Sequence, residues 1–150
     1  MISLIRTDSK NKDFIELVKQ LDAFLAITDG DDHDFYNQYN GLDNIKYVIV
    51  GYIDYIPVAC GAIKHFDAKT MEIKRMFTSE KSRGKGMASK VLVELEKWAL
   101  ELSFERCILE TGIRQVEAVR LYKKNKYTLM ENYGQYAGIE ESLCFEKKLI

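Results

Sequence analysis

Arg83-Gly84-Lys85-Gly86-Met87-Ala88 sets two glycines and two cations at the junction between an apolar strand pattern and an amphipathic helix. A helix start leaves backbone N–H groups without carbonyl partners, and its dipole favours negative charge. Glycines there let a ligand come close to the backbone, so the stretch suits an anion with several oxygens, such as a phosphate. The same residues also allow a plainer account, a tight strand-to-helix turn with solvated cations. Two phosphate motifs fail against it. A Walker A loop needs a glycine five residues before its Gly-Lys pair and a serine or threonine after it, where this chain has Ser79 and Gly86. A dinucleotide fingerprint needs a third glycine where Ser89 stands, which leaves a dinucleotide-binding oxidoreductase as a minor alternative.

The other candidate chemistry is weaker. Asp29-Gly30-Asp31-Asp32-His33-Asp34 invites a calcium reading, but an EF-hand loop puts Gly sixth and Glu twelfth, and Asp34 and Asn40 occupy those places. A turn at Asp29-Gly30, followed by a short helix capped by Asp31 or Asp32 and running through Tyr39, accounts for the same residues. Cys60, Cys107 and Cys144 fall in apolar strand-like runs with no CxxC pair, so they read as buried free thiols. His33 and His65 have no metal-ligand spacing to each other or to a cysteine, and no metal is expected. A formal charge of −1 argues against a general nucleic-acid surface. No signal-like segment or bilayer-length apolar run is visible, so the expected location is the cytoplasm, with no membrane partner.

These residues need elements to hold them. The 150 residues suit one domain, 1–150, with a core of its own. Ile2 to Arg6 reads as a strand and Asp13 to Thr28 as a helix with Phe14, Leu17, Val18, Leu21 and Leu25 on its apolar face. Tyr47 to Tyr52 and Val58 to Phe66 form a hairpin around Asp54 to Pro57, and Met71 to Thr78 extends it to a meander. A central helix carries Ala88, Val91, Leu92, Leu95, Trp98, Ala99 and Leu102 inward, with Lys90, Glu94, Glu96, Lys97 and Glu101 outward. Arg106 to Thr111 is a strand, Gln115 to Lys124 a helix, and Tyr127 to Met130 and Leu143 to Leu149 the closing strands. About seven strands and about four helices in this order predict a mixed α+β fold, because the helix after Met71 to Thr78 needs a crossover connection.

With that order in view, the chain resembles the GNAT-type N-acetyltransferases over nearly its whole length. The family signature Q/R-x-x-G-x-G/A is matched by Lys81-Ser82-Arg83-Gly84-Lys85-Gly86, with lysine replacing the first residue. Glu72-Ile73-Lys74-Arg75-Met76-Phe77-Thr78 resembles the preceding strand, and Ala118, Leu121-Tyr122 and Tyr127 the late helix and the strand after it. Where the family often has Asn and Gly, this chain has Gln115 and Lys126. The resemblance implies a three-layer fold with a mostly antiparallel, twisted sheet whose fourth and fifth strands splay apart.

It also implies acetyl-CoA as co-substrate. The pyrophosphate would lie on Arg83, Gly84, Lys85, Gly86, Met87 and Ala88, the pantetheine arm along Met76, Phe77 and Thr78, and an amide contact would come from Gln115. Amine attack on a thioester needs a neutral amine, a stabilised oxyanion and a proton for the leaving thiolate. By the resemblance, a backbone N–H near Met76 and Phe77 polarises the carbonyl, Tyr122 is the proton donor, and Glu72 is the base, directly or through water, with Glu110 as substitute. The acceptor, a small-molecule or peptide amine, would meet Asp32, Tyr36, Glu110, Tyr133 and Tyr136, since aromatics and carboxylates suit a cationic amine. A non-catalytic acetyl-CoA sensor of the same fold is the competing class, and a homodimer is compatible with either.

Overall fold

A computed structural model describes residues 1–29 and 45–150. Strand β1 (Ile2–Thr7) leads into helix α1 (Lys12–Asp29), followed by strands β2 (Tyr47–Ile53), β3 (Ile56–Asp67) and β4 (Thr70–Thr78). A single 3-10 turn, Glu80–Ser82, precedes helix α2 (Met87–Glu101). Strand β5 (Arg106–Gly112), helix α3 (Val116–Lys124), strand β6 (Thr128–Met130), a 3-10 turn at Gly134–Tyr136 and strand β7 (Ser142–Lys148) complete the order.

The seven strands form one sheet in the order β1-β2-β3-β4-β5-β7-β6. Every neighbouring pair is antiparallel except β4 and β5, which are parallel because α2 carries the chain back across the sheet. Three α-helices, rather than about four, stand among the described residues. The short helix expected through Tyr39 lies outside them. No helix among the described residues is long and apolar enough to cross a membrane.

Alternation along the strands sends side chains to both faces, and each face is covered. Val48, Val50, Cys60 and Ala62 pack against Phe14, Leu17 and Val18 of α1. Ile49, Ala59 and Ile63 face Val91, Leu92 and Leu95 of α2. Helix α1 starts where the Asn11 side-chain oxygen accepts the Phe14 N–H at 3.0 Å.

Gly61 fits α2 against the sheet by lacking a side chain. A Cβ there would stand 2.5 Å from the Met76 sulfur and 2.9 Å from both Leu95 Cδ1 and Val91 Cγ1. The β2–β3 turn is tighter than the sequence suggests. Ile56 and Pro57 belong to β3, and the two turn residues, Asp54 and Tyr55, have φ of 50° and 69°, as a type I′ turn requires.

Glu96 departs from its expected outward position. It is buried, and its carboxylate accepts from Tyr127 Oη and Lys147 Nζ, both at 2.8 Å. Periodicity placed it outside because a charged residue at the edge of a helix's apolar face reads as solvated. Two donors from the β5–β7 side of the molecule make its burial tolerable.

Candidate active site

The sheet opens where β4 leaves β5. Strand β4 stays paired with β3 through Thr78, yet its ladder with β5 covers only Thr70–Glu72 against Arg106–Ile108. From Ile73 onward one edge of β4 therefore has no strand partner among the described residues, and a second extended amide-bearing chain fits such an edge. A register shift between Cys60 and Ala62 inserts one extra residue into β4, and Arg75 takes it up with φ of 59°. That conformation costs a non-glycine residue about 1–2 kcal/mol. It is held from both sides: Cys60 Sγ donates to the Arg75 carbonyl at 3.4 Å, and Arg75 Nη1 donates to Asp22 Oδ1 of α1 at 2.9 Å. The bulge falls immediately before Met76 and Phe77.

A cavity of about 690 Å³ fills the gap, within the size range of small-molecule sites. Met76, Phe77 and Thr78 line one wall, and Gln115, Ala118 and Tyr122 of α3 line another. At its end stand Gly84, Gly86, Met87 and Ala88. Gly86 is the N-cap of α2 with φ of 78°, and no side-chain hydrogen bond caps that helix start. Gly84 is also left-handed, with φ of 82°, and a Cβ built on either glycine meets nothing within 4 Å. Backbone N–H groups and open space therefore coincide, as an oxyanion ligand requires. Arg83 lines the cavity, with its Nε on the Thr78 carbonyl at 3.1 Å and its guanidinium 5.1 Å from the centre of the Phe24 ring. Lys85 is exposed and lies outside the cavity wall, so its contribution there is a nearby charge rather than a lining group.

On the α1 side of the gap the carboxylates gather. Glu72 is buried, not solvent-facing, and accepts from Tyr133 Oη at 2.6 Å, while Lys74 Nζ stands 3.7 Å from the same oxygen. Glu110 and Tyr136 line the cavity with it. Burial pushes the Tyr133 hydroxyl up well beyond the ordinary tyrosine range, and the charge and hydrogen bond of Glu72 add to this. Tyr136 is raised by burial, then by Glu110 and Glu72.

Tyr122 lies on the opposite face, its ring edge-on to Tyr127 at 5.9 Å and tilted against Phe145 at 6.1 Å. Burial holds its pKa well above the ordinary range, and the charge of Glu110 raises it further. A tyrosine in that state stays protonated at neutral pH and is a donor. Its carbonyl is fixed as well. Helix α3 ends in a Schellman arrangement, with Tyr127 N–H on the Tyr122 carbonyl at 3.0 Å and Lys126 N–H on the Lys123 carbonyl at 3.1 Å.

The structure thus brings Glu72, Glu110, Tyr136, Tyr122, the end of β4, Gln115 and the glycine cradle to one cavity, with Tyr133 behind Glu72. Asp32 and Tyr36 lie outside the described residues. Sequence reasoning missed Lys74 and Arg75 as cavity residues, because strand alternation sends adjacent residues to opposite faces and only the bulge brings both to one cavity. It also missed the cations Arg114, Arg120 and Lys124 along the α3 wall.

Comparison with known proteins agrees with this geometry. The acetyltransferase (GNAT) family matches residues 12–127. The uncharacterized N-acetyltransferase YsnE of Bacillus subtilis (strain 168) is 36% identical over 92 residues, covering 60% of this chain and 61% of that protein. The chain spans about 61% of the length of the curated relatives it matches. Among solved structures, a Klebsiella pneumoniae subsp. pneumoniae MGH 78578 protein assigned as an acyl-CoA N-acyltransferase superposes with a TM-score of 0.83 at 24% identity, covering 100% of this chain and 99% of that one. A GNAT family acetyltransferase from Elizabethkingia anophelis with acetyl-CoA bound gives a TM-score of 0.69 at 14% identity, covering 98% and 97%. At these identities the two structures speak to the fold, and the family rests on the match over residues 12–127: the chain belongs to the GNAT acetyltransferase family.

Proposed function

We propose that residues 1–150 form one acetyl-CoA-dependent N-acetyltransferase domain that acetylates a primary amine of a small molecule or peptide by direct attack. The observation that carries this reading is the continuity of one cavity from the uncapped start of α2, along the unpartnered edge of β4, to Tyr122 and the buried carboxylates. The acetyl-CoA bound to a family member of the same fold supports the choice of co-substrate.

In this reading the pyrophosphate rests on the N–H groups at Gly84 to Ala88, with Arg83 and Lys85 supplying charge. The pantetheine amides pair with the open edge of β4. The amine nitrogen uses its lone pair to form a bond to the thioester carbonyl carbon, and a backbone N–H near Met76 and Phe77 stabilises the oxyanion. Collapse breaks the C–S bond, and Tyr122 gives its proton to the leaving sulfur. The proton shed by the amine passes to Glu72, or to Glu110, directly or through water, and returns to Tyr122 by way of solvent. The products are an amide and free coenzyme A.

The test is release of free thiol from acetyl-CoA in the presence of a panel of small amines and N-terminal peptides. Amine-dependent release is expected. Tight acetyl-CoA binding with no amine-dependent release from any member would instead identify a sensor that keeps the fold without the transfer.

A further inference from the structure

Lys74 does not behave as a scaffold residue. Lysines ordinarily keep the ammonium group in water, yet this side chain is only 12% exposed, in the wall of the cavity. Its ion-pair partner is Glu72 at 3.7 Å, beyond hydrogen-bonding distance, so the ammonium group keeps donors for a further partner. Burial pushes its pKa down, while Glu72 and Glu110 pull the other way. Beside it, Arg75 is 9% exposed and lines the same cavity. One of its guanidinium nitrogens is on Asp22, but its buried Nε has no hydrogen-bond partner among the described residues. Glu72, Glu110 and Asp22 balance the charge of this pair without using all of its donors, and an oxygen-rich anion in the cavity would take up the rest.

That anion is not the pyrophosphate. Lys74 precedes Thr78, the end of β4, by four residues, so it lies up to about 13 Å along the strand from Thr78, and the cradle begins beyond Thr78 at Arg83. It stands among Glu72, Glu110, Tyr133 and Tyr136, at the end of the cavity where the acceptor would bind. Building on the acetyl-transfer reading above, we propose that Lys74, with the charge of Arg75 behind it, holds a carboxylate of the acceptor. The acceptor is then a small amino acid or a close analogue, its carboxylate on Lys74 and its amine directed to Glu72 and Glu110. A simple alkylamine would leave Lys74 unsatisfied, and the site would reject it for that reason.

The experiment compares kcat/KM for matched pairs that differ by the carboxylate: phenylalanine and phenethylamine, tryptophan and tryptamine, lysine and cadaverine, leucine and isoamylamine. Acetyl-CoA binding is measured first, so a failure of the transferase reading shows itself separately. At least one pair is expected to favour the acid. Lys74→Met should cut that preference by about ten- to a hundredfold, the worth of one charge-assisted hydrogen bond, chiefly through KM for the acid. Lys74→Arg should keep most of it. Comparing the acid-to-amine ratio between parent and variant cancels the intrinsic difference between the two amines. Lys74→Gln replaces the methionine variant if the latter does not fold.

Preference for the decarboxylated amine in every pair would overturn the proposal, as would an acid-to-amine ratio that Lys74→Met leaves unmoved. An equal fall in kcat for acid and amine would assign Lys74 to proton transfer and overturn it too. If acetyl-CoA binds but no pair is acetylated, the readout becomes binding of the same four acids to the coenzyme A complex. Acid binding weakened by Lys74→Met then upholds the assignment, and no binding contradicts it.

Discussion

Tyr122 joins two properties that a leaving-group donor needs: its hydroxyl is held protonated by burial and by Glu110, and its ring is fixed between Tyr127 and Phe145. Tyr122→Phe keeps that packing and deletes one donor. Single-turnover acetyl transfer should fall by about ten- to a thousandfold while acetyl-CoA affinity changes little. A variant as fast as the parent would move the proton to water or to another residue. The residues of the cradle and Tyr122 are legible in the sequence because a signature and a Leu-Tyr pair mark them. Lys74, Arg75 and the Tyr133–Glu72 bond are not, because they depend on a strand irregularity and on a contact across 61 residues of chain.

At the level of elements, the start of α2 and the end of α3 carry opposite lessons. Gly86 is left-handed with open space where a side chain would project, so Gly86→Ala acts twice. The backbone strain, about 1–2 kcal/mol, should lower Tm by roughly 2–8 °C. The added methyl group stands where phosphate oxygens would approach, so coenzyme A affinity should drop by more than that stability loss explains. Unchanged affinity in a calorimetric titration would confine Gly86 to the turn. Lys126, where the family often has glycine, has φ of 73° at the Schellman position of α3. Lys126→Gly should relieve that strain and raise Tm by about 2–4 °C, which thermal unfolding checks directly. Hydrophobic periodicity finds these helices and strands to within a residue or two. It does not find the β4 bulge, since one extra residue in a strand leaves no mark on composition, nor the type I′ turn that puts Ile56 and Pro57 into β3.

For the molecule as a whole, the order of elements is legible because each strand and helix has its own period, and the crossover after β4 dictates a parallel β4–β5 pair. The splay itself follows only from the family resemblance, since nothing in either strand's composition says where pairing stops. Layers on both faces of the sheet leave that splay as the entrance to a continuous cavity. A ligand that binds the native state alone stabilises it by mass action, so acetyl-CoA should raise Tm and ATP should not. Equal stabilisation by ATP with no response to acetyl-CoA would remove the cradle assignment. The most direct test of the central claim follows the acyl group itself: the protein is incubated with acetyl-CoA labelled in the acetyl moiety and an amine panel, and products are identified by mass. Labelled N-acetyl amine in equal amount to free coenzyme A is expected, and coenzyme A released with the label recovered only as acetate would contradict acetyl transfer to an amine.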